Sequence, residues 1–202
     1  MTDFRPLLHR YSLPLIVTVC VTLILLLGSE VESWLRFDRS TIMEGEIWRL
    51  VTGHLAHLGR SHALMNVLGL WLCWLLFGKH LKPTSSLILM LTSGVGISLG
   101  LLMFNPTLRW YVGLSGVLHA IFVYGCLMEI RAGRRDAIVL LLLIIGKLIW
   151  EQVAGPLPGS EKAAGGTVLV DAHLYGAVCG LVLMPLLTWY ETRLEIRHAN
   201  QL

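Results

Sequence analysis

Six long apolar stretches constrain the fold of this 202-residue chain more than any other feature of its sequence. A helix of about 20 apolar residues crosses a bilayer, and shorter helices suffice inside a bundle. The chain is 55% hydrophobic and 14% charged, with a mean hydropathy of +0.69, which is too apolar for an ordinary soluble domain. We therefore predict an all-α membrane protein with one domain over residues 1–202. Its six spans are predicted at about Leu13–Gly28, Ser61–Gly78, Ser85–Phe104, Gly113–Ile130, Asp136–Gln152 and Val168–Tyr190.

The basic residues predict the orientation of these spans. Loops rich in lysine and arginine remain in the cytoplasm. One side of the predicted bundle holds nine such residues and the other holds six. We expect both termini in the cytoplasm, and the net charge of +3 is too small to indicate a nucleic-acid partner. The nine are Arg5, Arg10, Lys79, Lys82, Arg131, Arg134, Arg135, Arg193 and Arg197, and the six are Arg36, Arg39, Arg49, Arg60, Arg109 and Lys162.

The loop between the first two spans, Ser29 to Arg60, is long and amphipathic. Its apolar residues alternate with charges instead of forming a run that could cross the bilayer. Such a segment lies at the membrane interface, with its aromatic rings toward the lipid and its charges toward water. The apolar residues concerned are Trp34, Leu35, Phe37, Ile47 and Trp48.

A serine flanked by glycines opens the fourth span, in the sequence Gly113-Leu114-Ser115-Gly116. Small neighbours leave the Ser115 hydroxyl uncovered and approachable. Serine is a poor nucleophile until a base removes its proton, so the rest of the chain must supply an imidazole and donors for an oxyanion. Ser115 is therefore a candidate nucleophile at the non-cytoplasmic end of its span.

The sixth span supplies the candidate base. His173 lies a few residues inside this span, near the same membrane face as Ser115. Gly176 and Gly180 lie four residues apart on the same helix, and small residues at this spacing let two spans approach closely. We expect His173 to reach Ser115, although a histidine that caps a buried carbonyl beside packing glycines fits the same spacing.

Three histidines precede or open the second span: His54, His57 and His62. They do not fall at i and i+4 of one helix, and no carboxylate or cysteine completes a ligand set. We therefore predict no metal and no other cofactor. His62 and Asn66 do lie four residues apart, and both carry donors that an oxyanion beside Ser115 would need.

These motifs together resemble the rhomboid intramembrane serine proteases. The motifs are Gly113-Leu114-Ser115-Gly116, Ala172-His173 with Gly176 and Gly180, His57 with His62 and Asn66, and Trp48-Arg49 in the first loop. Their order along the chain also matches. The resemblance implies the six-helix rhomboid fold and a Ser115–His173 dyad without a required third acid. It further implies oxyanion donors from His62, Asn66 and the Ser115 amide, and anchoring of the first loop by Trp48 and Arg49.

Three longer stretches most resemble the rhombosortase subfamily: residues 48–54, 146–152 and 170–176. The resemblance implies an endopeptidase that removes the C-terminal glycine-rich anchor of exported proteins, in a bacterial inner membrane. Its active site would open to the periplasm, and its partners would be the lipid bilayer and substrates with a C-terminal transmembrane helix. The alternatives are a general rhomboid protease for single-span proteins and a non-catalytic binder of membrane helices.

Four further polar residues lie in or beside the last three spans. His119 shares the helix face of Ser115, and stacking on His173, substrate contact and simple packing all remain open. Asp171 is expected to point away from His173, because two residues turn a helix by about 200°. Lys147 and Glu151 can pair at i and i+4, or read a polar feature of the substrate.

Overall fold

The computed structural model describes the backbone of residues 5–199 and the side chains of residues 10–197. It is mostly helical, with one short two-stranded sheet that joins the first loop to the segment before Ser115. The strands are β1 (Phe37–Asp38) and β2 (Trp110–Tyr111). The helices are α1 (Arg5–Leu27), α2 (Ser29–Leu35), α3 (Arg39–Met43), α4 (Arg49–Thr52), α5 (Arg60–Phe77), α6 (Pro83–Phe104), α7 (Ser115–Arg131), α8 (Asp136–Ala154), α9 (Ser160–Ala164) and α10 (Val170–Ala199).

Five helices in the described part of the chain are long and apolar enough to cross a membrane: α1, α5, α6, α8 and α10. They coincide with five of the six predicted spans. The remaining one corresponds to α7, which has 17 residues, and its role as a sixth span stays a prediction. Helix α7 begins at Ser115 and not at the predicted Gly113, because Gly113 has a φ of +130° that no helix accommodates.

Helix α7 lies at the centre of the bundle, where it packs against α5, α6, α8 and α10. It lies so close to α10 that the main chains of the two helices are in contact. A Cβ atom added to Gly176 would lie 2.7 Å from the carbonyl carbon of Gly116, and one added to Gly180 would lie 2.9 Å from Cα of Ala120. Glycine is required at both positions, because any side chain would force the two helices apart.

The first loop folds into α2, β1, α3 and α4 and exposes large apolar side chains. Trp34, Met43 and Ile47 are 57%, 76% and 67% exposed. Arg49 holds the loop together from inside: its guanidinium donates to the carbonyls of Ser33 and Arg36 at 2.8 and 2.9 Å and pairs with Glu46 at 2.5 Å. A loop that is held by internal hydrogen bonds and exposes apolar side chains is consistent with a position at the membrane interface. That position stays a prediction.

Contacts from the first loop also fix the segment that leads into α7. Strand β1 pairs with β2 in antiparallel register, with Phe37 opposite Tyr111. The Arg39 guanidinium donates to four carbonyls at and beyond the end of α6, at 2.7 to 3.1 Å. The Gly113 amide donates to the Gly53 carbonyl at 3.1 Å. The start of α7, and with it Ser115, is therefore held by the first loop as well as by the bundle.

Candidate active site

Ser115 and His173 meet across the closely packed helices α7 and α10. The distance from Ser115 Oγ to His173 Nε2 is 3.0 Å, which is a hydrogen bond. His173 is 5% exposed, whereas Ser115 is only half-buried. A half-covered hydroxyl that donates to a buried imidazole is the arrangement from which a histidine can remove a serine proton.

Gly113 and Gly116, on either side of Ser115, exclude a side chain for two different reasons. Gly113 has a positive φ, and a Cβ atom there would lie 2.9 Å from Cε1 of His62. A Cβ atom on Gly116 would lie 2.8 Å from the carbonyl oxygen of Ala172, the residue before His173. Gly113 thus admits the His62 ring next to Ser115, and Gly116 admits the start of α10.

His62 directs its Nε2 toward this region. Its Nδ1 accepts from the Leu58 amide at 3.3 Å, so the proton of the neutral ring lies on Nε2, the atom next to Gly113. Asn66 is buried one turn further along α5, and its Nδ2 donates to the His62 carbonyl at 3.0 Å. Ser115 starts α7, so its own amide lies in the first turn, which has no acceptor within the helix.

His119 stacks on His173, which was one of its three predicted alternatives. The two ring centroids are 4.3 Å apart and the planes differ by 17°. His119 Nδ1 lies 2.7 Å from the Ser115 carbonyl oxygen. The ring therefore covers one face of His173 and is fixed to the backbone of Ser115.

Glu151 is the neighbour of His173 that the motifs did not identify. Its Oε2 lies 3.0 Å from His173 Nδ1, and its Oε1 accepts from Lys147 Nζ at 2.7 Å. The predicted Lys147–Glu151 pair is present, but both side chains turn inward to the histidines. Lys147 Nζ also lies 3.0 Å from His119 Nε2. A lysine and a glutamate one turn apart in an apolar helix are costly in lipid, and this was the available signal that they face a partner.

The remaining predicted residues lie outside this cluster of contacts. Asp171 accepts from Asn105 Nδ2 at 2.5 Å, as expected for a residue that points away from His173. Trp48 packs its ring against Trp34 in the first loop, with centroids 5.6 Å apart. Arg49 bonds within the same loop, as described above. Trp48 and Arg49 therefore contact the loop and not the serine.

A cavity of about 360 Å³ gives access to Ser115. Its walls come from α5, the segment before α7, and the loop between α9 and α10. Glycines form part of the last wall, so backbone lines that side of the cavity. The lining residues are Leu58, His62, Leu108, Trp110, Tyr111, Val112, Ser115, Gly165, Gly166, Thr167, Val168 and Leu169.

His119, Glu151 and His173 offer ligand atoms within 4.8 Å of one another, which could suit a metal ion. Lys147 Nζ already lies between them, at 2.7 Å from Glu151, 3.0 Å from His119 and 3.4 Å from His173. The positive charge of the ammonium therefore stands where a cation would bind.

Helices long enough to cross a membrane, with a serine and a histidine hydrogen-bonded between two helices of the bundle, are features expected of an intramembrane serine hydrolase. Comparison with known families gives a more specific answer, because residues 44–190 match the Rhomboid domain. This match covers well over half of the 202 residues. The chain belongs to the rhomboid family, which is a family of intramembrane serine proteases.

Proposed function

We propose that this protein is an intramembrane serine endopeptidase with Ser115 as nucleophile and His173 as general base. The observation that carries the proposal is the 3.0 Å contact between Ser115 Oγ and His173 Nε2, beside a cavity lined by Ser115. Both residues come from spans that begin at the predicted periplasmic face. Water can therefore reach the serine even though the pair lies within the bundle.

In the first half of the reaction, Ser115 Oγ attacks the carbonyl carbon of the scissile peptide bond while its proton passes to His173 Nε2. The tetrahedral intermediate collapses, the C–N bond breaks, and the imidazolium gives that proton to the leaving amine. In the second half, His173 takes a proton from water as the water oxygen attacks the acyl-enzyme. The ester bond breaks, and the proton returns to Ser115.

The oxyanion is held by the Nε2–H of His62, the side-chain amide of Asn66 and the N–H of Ser115. Support is strongest for His62, whose ring lines the same cavity as Ser115 and whose Nδ1 is already occupied by the Leu58 amide. Asn66 uses one side-chain proton on the His62 carbonyl and keeps a second. Donors that are fixed before the reaction stabilise the charge without a cost of reorganisation.

The substrate is the C-terminal glycine-rich transmembrane anchor of an exported protein, as in the rhombosortase subfamily that residues 48–54, 146–152 and 170–176 resemble. The substrate helix enters between α5 and α8 and unwinds at its end, which glycines facilitate. The cavity beside Ser115 suits an unwound, glycine-rich strand because Gly165 and Gly166 form part of its wall.

The enzyme lies in a bacterial inner membrane with six spans, both termini in the cytoplasm and its active site open to the periplasm. The terminal residues themselves lie outside the described part of the chain. The first loop rests in the periplasmic interface, anchored by Trp48 and Arg49, with Trp34, Met43 and Ile47 toward the lipid. Support for this location comes from the distribution of basic residues and from the exposure of those apolar side chains.

The test is co-expression with a reporter that ends in a glycine-rich motif, a transmembrane helix and a short basic tail, in a host that lacks the native protease. Wild type should release the reporter, whereas Ser115→Ala and His173→Ala should lose activity on the order of 10³-fold or more. The matched control is Ser86→Ala. This buried serine in α6 has no hydrogen-bond partner among the described residues, so its removal should leave cleavage unchanged.

A fluorophosphonate probe separates the enzyme from a non-catalytic binder of membrane helices. Labelling of wild type but not of Ser115→Ala supports the enzyme, and absence of labelling together with absence of cleavage supports the binder. If the probe labels Ser115 but only a single-span substrate with an external N-terminus is cleaved, the protein is a general rhomboid protease and the anchor substrate is wrong.

A further inference from the structure

The side chains around Ser115 form a closed ring of hydrogen bonds from three helices. Helix α7 contributes Ser115 and His119, α8 contributes Lys147 and Glu151, and α10 contributes His173. Going round the ring, the successive distances are 3.0 Å (Ser115 Oγ to His173), 3.0 Å (His173 to Glu151), 2.7 Å (Glu151 to Lys147), 3.0 Å (Lys147 to His119) and 2.7 Å (His119 to the Ser115 carbonyl).

With Glu151 ionised and His173 neutral, one assignment of protons satisfies every bond in this ring. The Ser115 carbonyl can only accept, so His119 donates from Nδ1 and its bare Nε2 accepts from the Lys147 ammonium. The Glu151 carboxylate accepts from Lys147 on one oxygen and from His173 Nδ1 on the other. His173 Nε2 is then bare and accepts from Ser115 Oγ. In this assignment, His173 has the tautomer that a general base for Ser115 needs.

We propose that Glu151 is the positioning acid of the active site, so that Ser115, His173 and Glu151 act as a triad in which Lys147 supports the carboxylate. This inference rests on the proposed function. It departs from the dyad that the family resemblance implies, and the contact between Glu151 and His173 is the observation that carries it.

A carboxylate at Nδ1 does three things for a serine–histidine pair. It fixes the proton on Nδ1, it orients the ring toward the serine, and it stabilises the imidazolium that forms when the serine attacks. The third effect matters here because the Lys147 ammonium lies 3.4 Å from His173 Nδ1. Without the negative charge of Glu151, that ammonium would face the developing imidazolium directly and would oppose proton transfer to His173.

The burial of Glu151 is consistent with this role. Its side chain is 3% exposed inside an apolar helix, where an unpaired carboxylate would be costly. Lys147 and His173 together satisfy both of its oxygens. Burying this charge pair carries a desolvation penalty that an apolar pair would not have. The pair therefore contributes more to the site than to stability.

The first experiment compares Glu151→Gln with wild type in purified protein, using a fluorogenic peptide and the fluorophosphonate probe. We expect kcat and the rate of probe labelling to fall on the order of 10²–10⁴-fold, with KM unchanged, because Glu151 acts through His173 and not on the substrate. The matched control is Asp171→Asn, an equivalent change two residues before His173. Asp171 bonds to Asn105 instead, so we expect wild-type kinetics.

A second variant tests whether Glu151 merely neutralises Lys147. If it does, the double variant Glu151→Gln with Lys147→Met removes both charges and should recover the activity of wild type. Our proposal expects the double variant to be faster than Glu151→Gln, because the opposing Lys147 ammonium is gone, but to stay at least about tenfold slower than wild type, because the acid at Nδ1 is still missing. Recovery to within about threefold of wild type would overturn the proposal.

A measurement on the wild-type protein does not depend on the folding of any Glu151 variant. Nitrogen-15 NMR of histidine-labelled protein, assigned by difference with His173→Gln, should show neutral His173 with its proton on Nδ1. A proton on Nε2 would overturn the proposal, because Glu151 would then not be an acceptor for the ring.

Failure of this inference and failure of the proposed function give different results. If Ser115→Ala still cleaves, the protein is not a serine protease that uses Ser115, whatever Glu151 does. If Ser115→Ala is inactive and Glu151→Gln keeps wild-type kcat, the protease stands and only the triad is wrong.

Discussion

The substitution Gly176→Ala tests whether backbone contact between α7 and α10 sets the geometry of the serine–histidine pair. Gly176 lies less than one helical turn after His173 on α10 and faces the carbonyl of Gly116, the residue after Ser115. Adding one methyl group at this point therefore pushes apart the two helices at the level of the pair itself.

The size of the effect follows from the distances. The new Cβ atom would fall inside the contact distance of the Gly116 carbonyl, so the helices must separate locally by about 1 Å. A shift of that size lengthens the Ser115–His173 bond from 3.0 Å to a separation at which a hydrogen bond fails. We expect a loss of about 1–3 kcal/mol in stability from overpacking, and a loss on the order of 10²-fold in activity from the misplaced base.

The assay is the rate of fluorophosphonate labelling, read beside the thermal unfolding of detergent-solubilised protein. Gly146→Ala is the matched control, because nothing in the described structure lies within 4 Å of a Cβ atom at Gly146, which is also inside a helix. It should label at the wild-type rate and gain up to about 1 kcal/mol in stability. If folded Gly176→Ala also labels at the wild-type rate, backbone contact does not set the active-site distance.

Two further predictions concern stability. Arg39→Gln removes a guanidinium that donates to four carbonyls, so the free energy of unfolding should fall by about 2–4 kcal/mol, whereas the exposed Arg60→Gln should change it by less than about 0.5 kcal/mol. Equal melting temperatures for the two variants would contradict this. Burial, and secondly the neighbouring His62, lower the pKa of His57 to about 3 in the folded protein, so the unfolded chain takes up a proton first as the pH falls below 6.5. Stability should therefore decrease from pH 6.5 downward, and His57→Phe should reduce that slope by up to about 1.4 kcal/mol per pH unit; an unchanged slope would show that His57 is not buried neutral.

Much of the fold could be predicted because each apolar run is close to the length that a bilayer requires. The five long helices fall where hydropathy placed them, because an apolar segment in lipid must satisfy its own backbone hydrogen bonds and does so as a helix. The pairing of Phe37 with Tyr111 could not be predicted. Strands of two residues carry no periodic signal, and their pairing depends on how the first loop returns to the bundle.

The candidate site likewise has one part that the sequence could predict and one part that it could not. The contact of Ser115 with His173 was predictable because both lie near the start of spans that begin on one face, and glycines allow those spans to touch. The turn of Glu151 toward His173 was not, because it depends on the rotation of α8 about its axis. The sequence of α8 alone does not determine that rotation, because it depends on which neighbouring helices the charged pair contacts. The same holds for His119, for which spacing left three roles open and packing selected stacking.

The division of the ring among three helices has a mechanical consequence. Helices α7 and α10, which carry the serine and its base, touch through their main chains, whereas α8, which carries both charged groups of the ring, has only 17% of its span buried. An outward displacement of α8 would therefore withdraw Glu151 and Lys147 together, without separating the helices that carry Ser115 and His173. If a substrate helix arrives between α5 and α8, as proposed, it passes beside the helix that completes the charge arrangement, and withdrawal of α8 would slow the reaction on the order of 10²–10⁴-fold, as expected for loss of Glu151.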